Sequence, residues 1–102
     1  MKFNLISTKE ILDFEKELGI ELVVNERKEY SKGCKYYVMF EYSDVMEGGC
    51  LIGSYGNGDT IDEALENYCK EIQNKRMAFN AHTPNRREVV CPKFTHKKKL
   101  GR

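Results

Sequence analysis

Between Gly56 and Ile72 the chain passes from a glycine-rich turn straight into an amphipathic helix, and every other element has to accommodate that helix. The stretch reads Gly-Asn-Gly-Asp-Thr-Ile-Asp-Glu-Ala-Leu-Glu-Asn-Tyr-Cys-Lys-Glu-Ile. Thr60 is a strong N-cap, and Glu63 three residues on completes a capping box, each side chain satisfying a backbone N–H that a helix start leaves orphaned. Ile61, Ala64, Leu65, Tyr68 and Ile72 recur at three- and four-residue steps and form one apolar stripe. A helix with a single apolar stripe must bury it against another layer.

The remaining pattern supplies that layer. Residues 1–6 read as a short extended lead-in. Ser7 and Glu10 repeat the capping-box logic for a first helix over about residues 8–18, with Ile11, Phe14 and Leu18 on one face and Gly19 as its left-handed stop. Residues 20–26 alternate as a half-buried strand. Residues 27–33 are charged and end in Ser-Lys-Gly, a hairpin connection. Residues 35–42 form the strongest strand, with Tyr36, Val38, Phe40 and Tyr42 on one face and Tyr37 and Met39 on the other. Residues 43–49 are expected to be a polar turn and 50–55 a third strand. Beyond the second helix, residues 77–81 and 86–91 are two further strands around a turn at His82 and Pro84. The expected order is α-β-β-β-α-β-β, an α+β two-layer sandwich with a mainly antiparallel sheet of four to five strands carrying two helices. One domain over residues 1–92 and a basic, partly disordered tail over 93–102 complete the organisation.

Charge and thiol content narrow the function classes. A net charge of +1 gives no overall pull toward nucleic acid or membrane. The charge is nonetheless uneven: from Lys75 onward cations dominate, with Glu88 the lone carboxylate. No apolar run long enough for an export signal or membrane span opens the chain, so a cytoplasmic setting is expected. Cys34, Cys50, Cys69 and Cys91 are widely spaced with no C-x-x-C pair, which favours free structural thiols over zinc. No nucleophile elbow or catalytic-cysteine context is present, and His82 and His96, one in a turn and one in the tail, do not form a metal pair. An enzyme is therefore not expected, nor is a metal or cofactor.

Two features remain as binding candidates. The glycine turn precedes a helix N-terminus, where phosphates bind, but Asp59, Asp62 and Glu63 crowd it with negative charge, so it reads as a flexible connection. The better candidate is the basic end. Arg86 and Arg87 adjoin the turn, Lys75 and Arg76 flank the same hairpin, and guanidinium groups bind phosphate or carboxylate in bidentate fashion. Strand alternation puts Arg86 and Arg87 on opposite faces, so one of them is expected to face a ligand. Tyr55 and His82 are added as stacking and polar contacts.

Two resemblances bear on function. The order of strand, turn, strand, Gly-Asp-Thr and Asp-Glu-Ala-Leu-Glu-Asn over residues 36–72 resembles the core of HicB-type antitoxins. No ribbon-helix-helix or helix-turn-helix segment follows, so sequence-specific DNA binding is not expected. More of the chain is similar to small uncharacterised bacteriophage proteins, among them the ABA-sandwich proteins. The likeness rests on Gly56-Asn-Gly-Asp-Thr with Glu63-Ala64, Tyr68-Cys-Lys-Glu-Ile, Met77-Ala-Phe-Asn-Ala and Arg86-Arg-Glu ending at Pro92. That resemblance implies a non-enzymatic protein acting in the host bacterial cytoplasm, where it would counter a defence system by sequestering a signalling nucleotide or blocking an effector protein. The HicB likeness implies the alternative, a regulator that binds a small toxin. Self-association into a homo-oligomer is expected because the last hairpin must lie at a sheet edge.

Overall fold

A computed structural model describes residues 8–97 of the 102-residue chain. The elements run β1 (Thr8–Glu10), α1 (Ile11–Leu18), β2 (Leu22–Glu26), β3 (Tyr36–Phe40), β4 (Ser43–Glu47), β5 (Cys50–Ile52), β6 (Gly56–Gly58), α2 (Ile61–Ile72), β7 (Arg76–Phe79), β8 (Arg87–Val90) and β9 (Lys93–Thr95). They form an α+β fold consistent with a two-layer sandwich. Its strands are divided among an antiparallel β2-β3-β6 sheet, an antiparallel β5-β4-β7-β8 sheet and a parallel β1-β9 pair.

Helix α2 is the organiser that its sequence predicts. Thr60 caps it by accepting from the Glu63 N–H at 3.1 Å, while the Glu63 carboxylate reaches back to the Asp59 N–H. Its stripe of Ala64, Leu65, Tyr68 and Ile72 is fully enclosed, packed with Val38 and Phe40 of β3, Met77 and Phe79 of β7, and Ile11 of α1. Tyr68 also accepts a hydrogen bond from the Phe40 N–H at 3.0 Å, and burial pushes its phenol up to about 12. Phe40 is the hub of an aromatic cluster, meeting Phe14, Tyr68 and Phe79 at centroid distances of 6.2, 5.9 and 5.8 Å.

Several expectations are corrected. The glycine turn is strand β6, paired with β3 and buried at Gly56 and Gly58. Both glycines lie directly under α2: a Cβ on Gly56 would collide with Ala64 O and with Tyr68 N and Cα, and one on Gly58 with Ala64 N and Glu63 C. Here glycine serves close strand-to-helix approach rather than turn geometry. The expected polar turn at residues 43–49 is mostly strand β4, whose Val45 points into the core, and the true turn is Gly48-Gly49 with both φ angles positive. The first helix starts at Ile11, because Thr8–Glu10 pairs with β9 instead. Glu10 occupies the N-cap position without a side-chain capping bond. Lys93–Thr95, assigned from sequence to the tail, is β9, with Phe94 buried against Phe14. Residues 1–7, including Ser7 and the extended lead-in, and residues 98–102 of the tail lie outside the described residues.

Candidate functional site

The β2–β3 connection over residues 27–35 carries Arg27, Lys28, Lys32 and Lys35 together with Glu29 and Tyr30, next to Glu26 at the end of β2. This segment is fixed from within and from below. The Arg27 N–H donates to Lys35 O at 2.8 Å and the Cys34 N–H to Ser31 O at 3.0 Å. The Gly33 N–H donates to the Asp59 carboxylate at 2.7 Å, so the carboxylate that opens α2 anchors the tip of the hairpin.

Arg27 is the most constrained group there. Its NH1 donates to Cys34 O at 2.6 Å and to Asn57 Oδ1 at 2.8 Å. Asn57 is held in turn by its carbonyl, which accepts from Asn67 Nδ2 of α2 at 2.6 Å. The Arg27 guanidinium carbon lies 4.4 Å from the Tyr37 ring centroid and 5.9 Å from that of Tyr55. The two rings meet edge to face at 5.7 Å and 67°. The geometry is a cation stacked on an aromatic pair and locked by two backbone-anchored acceptors.

Beside it, Glu26, Arg27, Lys28, Tyr30 and Lys35 line an open surface hollow of about 580 Å³. The Lys35 ammonium sits 5.5 Å from the Tyr36 ring centroid and 6.0 Å from that of Tyr30. Its nearest carboxylate there is Glu26, at 4.0 Å. A solvent-exposed pair that long is weak, so an anion can compete for the ammonium.

The residues proposed from sequence are distributed differently. Arg86 is bound to Glu88 through both Nε and NH2 at 3.0 Å, and Arg76 approaches the other oxygen of Glu88 at 3.6 Å. Arg87 points the other way and donates to Leu18 O, at the C-terminus of α1, at 2.9 Å. The alternation of Arg86 and Arg87 is as expected, but Arg86 and Arg76 share one internal counter-ion. Lys75 pairs with Glu47 at 3.6 Å, and His82 is exposed in the turn. Tyr55 lies just before β6, beside Tyr37 of β3 and Arg27. From sequence, Arg27, Lys28 and Tyr30 read as part of a charged connection and Lys35 as the start of a strand; the available signal is a tyrosine set among four cations in nine residues.

A second polar cluster is internal. The buried His96 ring lies 3.1 Å from Glu10 Oε1 through Nδ1 and 2.7 Å from Asp62 Oδ1 through Nε2, and the Lys97 N–H donates to Glu10 Oε2 at 2.6 Å. Burial acts to raise the Glu10 carboxyl, but the Lys97 N–H and His96 outweigh it and hold the group below its ordinary 4.5. The cluster ties β1, β9 and the start of α2 together. All four cysteines are free, and burial pushes the Cys69 and Cys91 thiols up to about 12, which leaves them unreactive. Among the described residues no group of three or more His, Cys, Asp or Glu is placed to hold a metal, and no helix is long and apolar enough to cross a membrane. Comparison with protein-family models, with curated proteins and with solved structures finds no match to this chain.

Proposed function

We propose that this chain is a non-enzymatic binding protein that captures a nucleotide in the hollow of the β2–β3 hairpin. The observation that carries the reading is the lining of that hollow: Arg27, Lys28 and Lys35 supply positive charge beside the tyrosine ring of Tyr30. A phosphate suits the ammonium groups, and a base suits the outer plane of a guanidinium already stacked on Tyr37. Because Arg27 is fixed by Cys34 and Asn57, binding would order little that is not already ordered. Of the two modes implied by the likeness to small phage proteins, sequestering a signalling nucleotide suits a preformed hollow better than blocking an effector.

The test is a thermal-shift screen of the full chain against AMP, cyclic dinucleotides, cyclic trinucleotides and cyclic ADP-ribose isomers, followed by calorimetry. A ligand that binds the folded state alone raises the melting temperature. The expected result is at least one stabilising nucleotide whose affinity drops about tenfold or more in Arg27→Lys, which keeps the charge and loses the plane. No stabilisation by any nucleotide at millimolar concentration rejects the reading.

A further inference from the structure

We infer that the ligand has two bases joined by a phosphodiester, the first in the hollow and the second on Tyr55. This rests on the nucleotide reading above and extends it across the sheet.

Arg27 belongs to two surfaces at once. It lines the hollow, and its guanidinium also lies over Tyr37 and, at longer range, over Tyr55. Arg27 thus stands between the hollow and the face of the β2-β3-β6 sheet that carries Tyr37, opposite the face where Val38 and Phe40 meet α2. Tyr55 contributes little to the core, since it is 46% exposed just before β6. Its ring stands at 67° to Tyr37, so it does not prolong the Arg27–Tyr37 stack. It offers a second ring surface at a steep angle to the first, with 5.9 Å between the Arg27 guanidinium and the Tyr55 centroid. Two bases splayed about one phosphodiester, rather than stacked, match that arrangement. Lys28 and Lys35 stand on the hollow side, where the phosphate would lie.

The same face limits the length of the ligand. Glu21 and Glu41 are joined at the far end of β2 and β3, the Glu41 N–H donating to Glu21 O at 2.9 Å. A longer polyanion continuing along those strands meets two carboxylates, so affinity should level off at two nucleotides.

The experiment titrates the full chain with AMP, linear diadenylate, cyclic diadenylate and a ten-nucleotide adenylate strand, using parent, Tyr55→Ala and Tyr55→Phe. Two-base ligands are expected to bind at least tenfold more tightly than AMP. In Tyr55→Ala the ratio of two-base to AMP affinity should fall to about one, and Tyr55→Phe should retain the parent ratio. A preference for the cyclic over the linear compound identifies a free signalling molecule. Equal binding of linear compound and decamer identifies a strand end. Either result supports the two-base site. If AMP binds as well as the two-base ligands and Tyr55→Ala changes neither, the inference fails while the hollow stands. If affinity climbs steeply from diadenylate to decamer, the two-base limit is wrong. If none of the four binds, the nucleotide reading fails and this inference goes with it.

Discussion

Substituting Gly56 by alanine tests how β6 and α2 are packed. The new Cβ would lie 2.6 Å from Tyr68 Cα, and closer still to Ala64 O and Tyr68 N, where ordinary contact begins at 3.4 Å. All three atoms are helix backbone, so no side chain can rotate away and α2 must lift by about an ångström. A gap of that size forfeits a quarter to a half of the dispersion energy of each contact it opens. Those contacts belong to Ala64, Leu65, Tyr68 and Ile72, the fully buried stripe. Overpacking of a core ordinarily costs 1–3 kcal/mol, and a purely backbone obstruction belongs at the top of that range, about 3 kcal/mol. With a urea slope of about 1.5 kcal/mol/M, the unfolding midpoint should fall by about 2 M. Gly53→Ala is the control, because nothing lies within 4 Å of its Cβ position and its φ is not in the left-handed range. Urea unfolding followed by circular dichroism reads both. A Gly56→Ala midpoint within about 0.3 M of the parent would refute the close-packing argument.

Three further outcomes follow from the geometry. Glu10 titrates below 4.5 in the folded chain, so its contribution is complete above the unfolded value and is lost as pH falls through the folded one. The melting temperature should therefore drop on acidification below about pH 4.5, and Glu10→Gln should show a lower plateau with a shallower acid limb; equal limbs reject the assignment. A thiol-labelling time course should modify exposed Cys50 first, Cys34 next, and Cys69 and Cys91 only on unfolding, and early labelling of Cys69 would contradict its burial. Light scattering at micromolar concentration should give a dimer mass. The bond from the Cys91 N–H to Lys75 O sets an alternation that turns the backbone groups of Glu88 and Val90 away from β7, along the edge of β8 that no strand pairs among the described residues. A monomer mass rejects the dimer.

The parts of the fold legible in the sequence are those whose pattern is local. The 3.6-residue stripe and cap of α2, the left-handed stop at Gly19 and the alternation of β3 all appear in the structure because neighbouring residues enforce them. The misread parts depend on distant partners. Gly56-Asn57-Gly58 has turn composition, yet it is a strand because β3 pairs with it and α2 needs its missing side chains. Thr8–Glu10 has capping chemistry, yet β9 draws it into a strand, with His96 and Lys97 meeting Glu10 from 86 and 87 residues away. The candidate site divides the same way. Counting cations found Arg86, Arg87, Lys75 and Arg76, but their counter-ions Glu88 and Glu47 become visible only through strand register. Arg27 reads as one more loop charge because its neighbours are distant in sequence: the β2–β3 hairpin brings Tyr37 to it, and the pairing of β3 with β6 brings Asn57.

The proposed ligand-facing surface is the Arg27 hollow rather than the basic end, and amide chemical-shift mapping tests that choice directly. Uniformly 15N-labelled full chain would be titrated with linear diadenylate, with the amides of Arg27, Tyr30, Lys35, Tyr55 and Asn57 compared against those of Lys75, Arg76, Arg86 and Arg87. Saturable shifts concentrated in the first group, with the second unmoved, are predicted. Shifts concentrated in the second group, or none at millimolar ligand, would contradict the account.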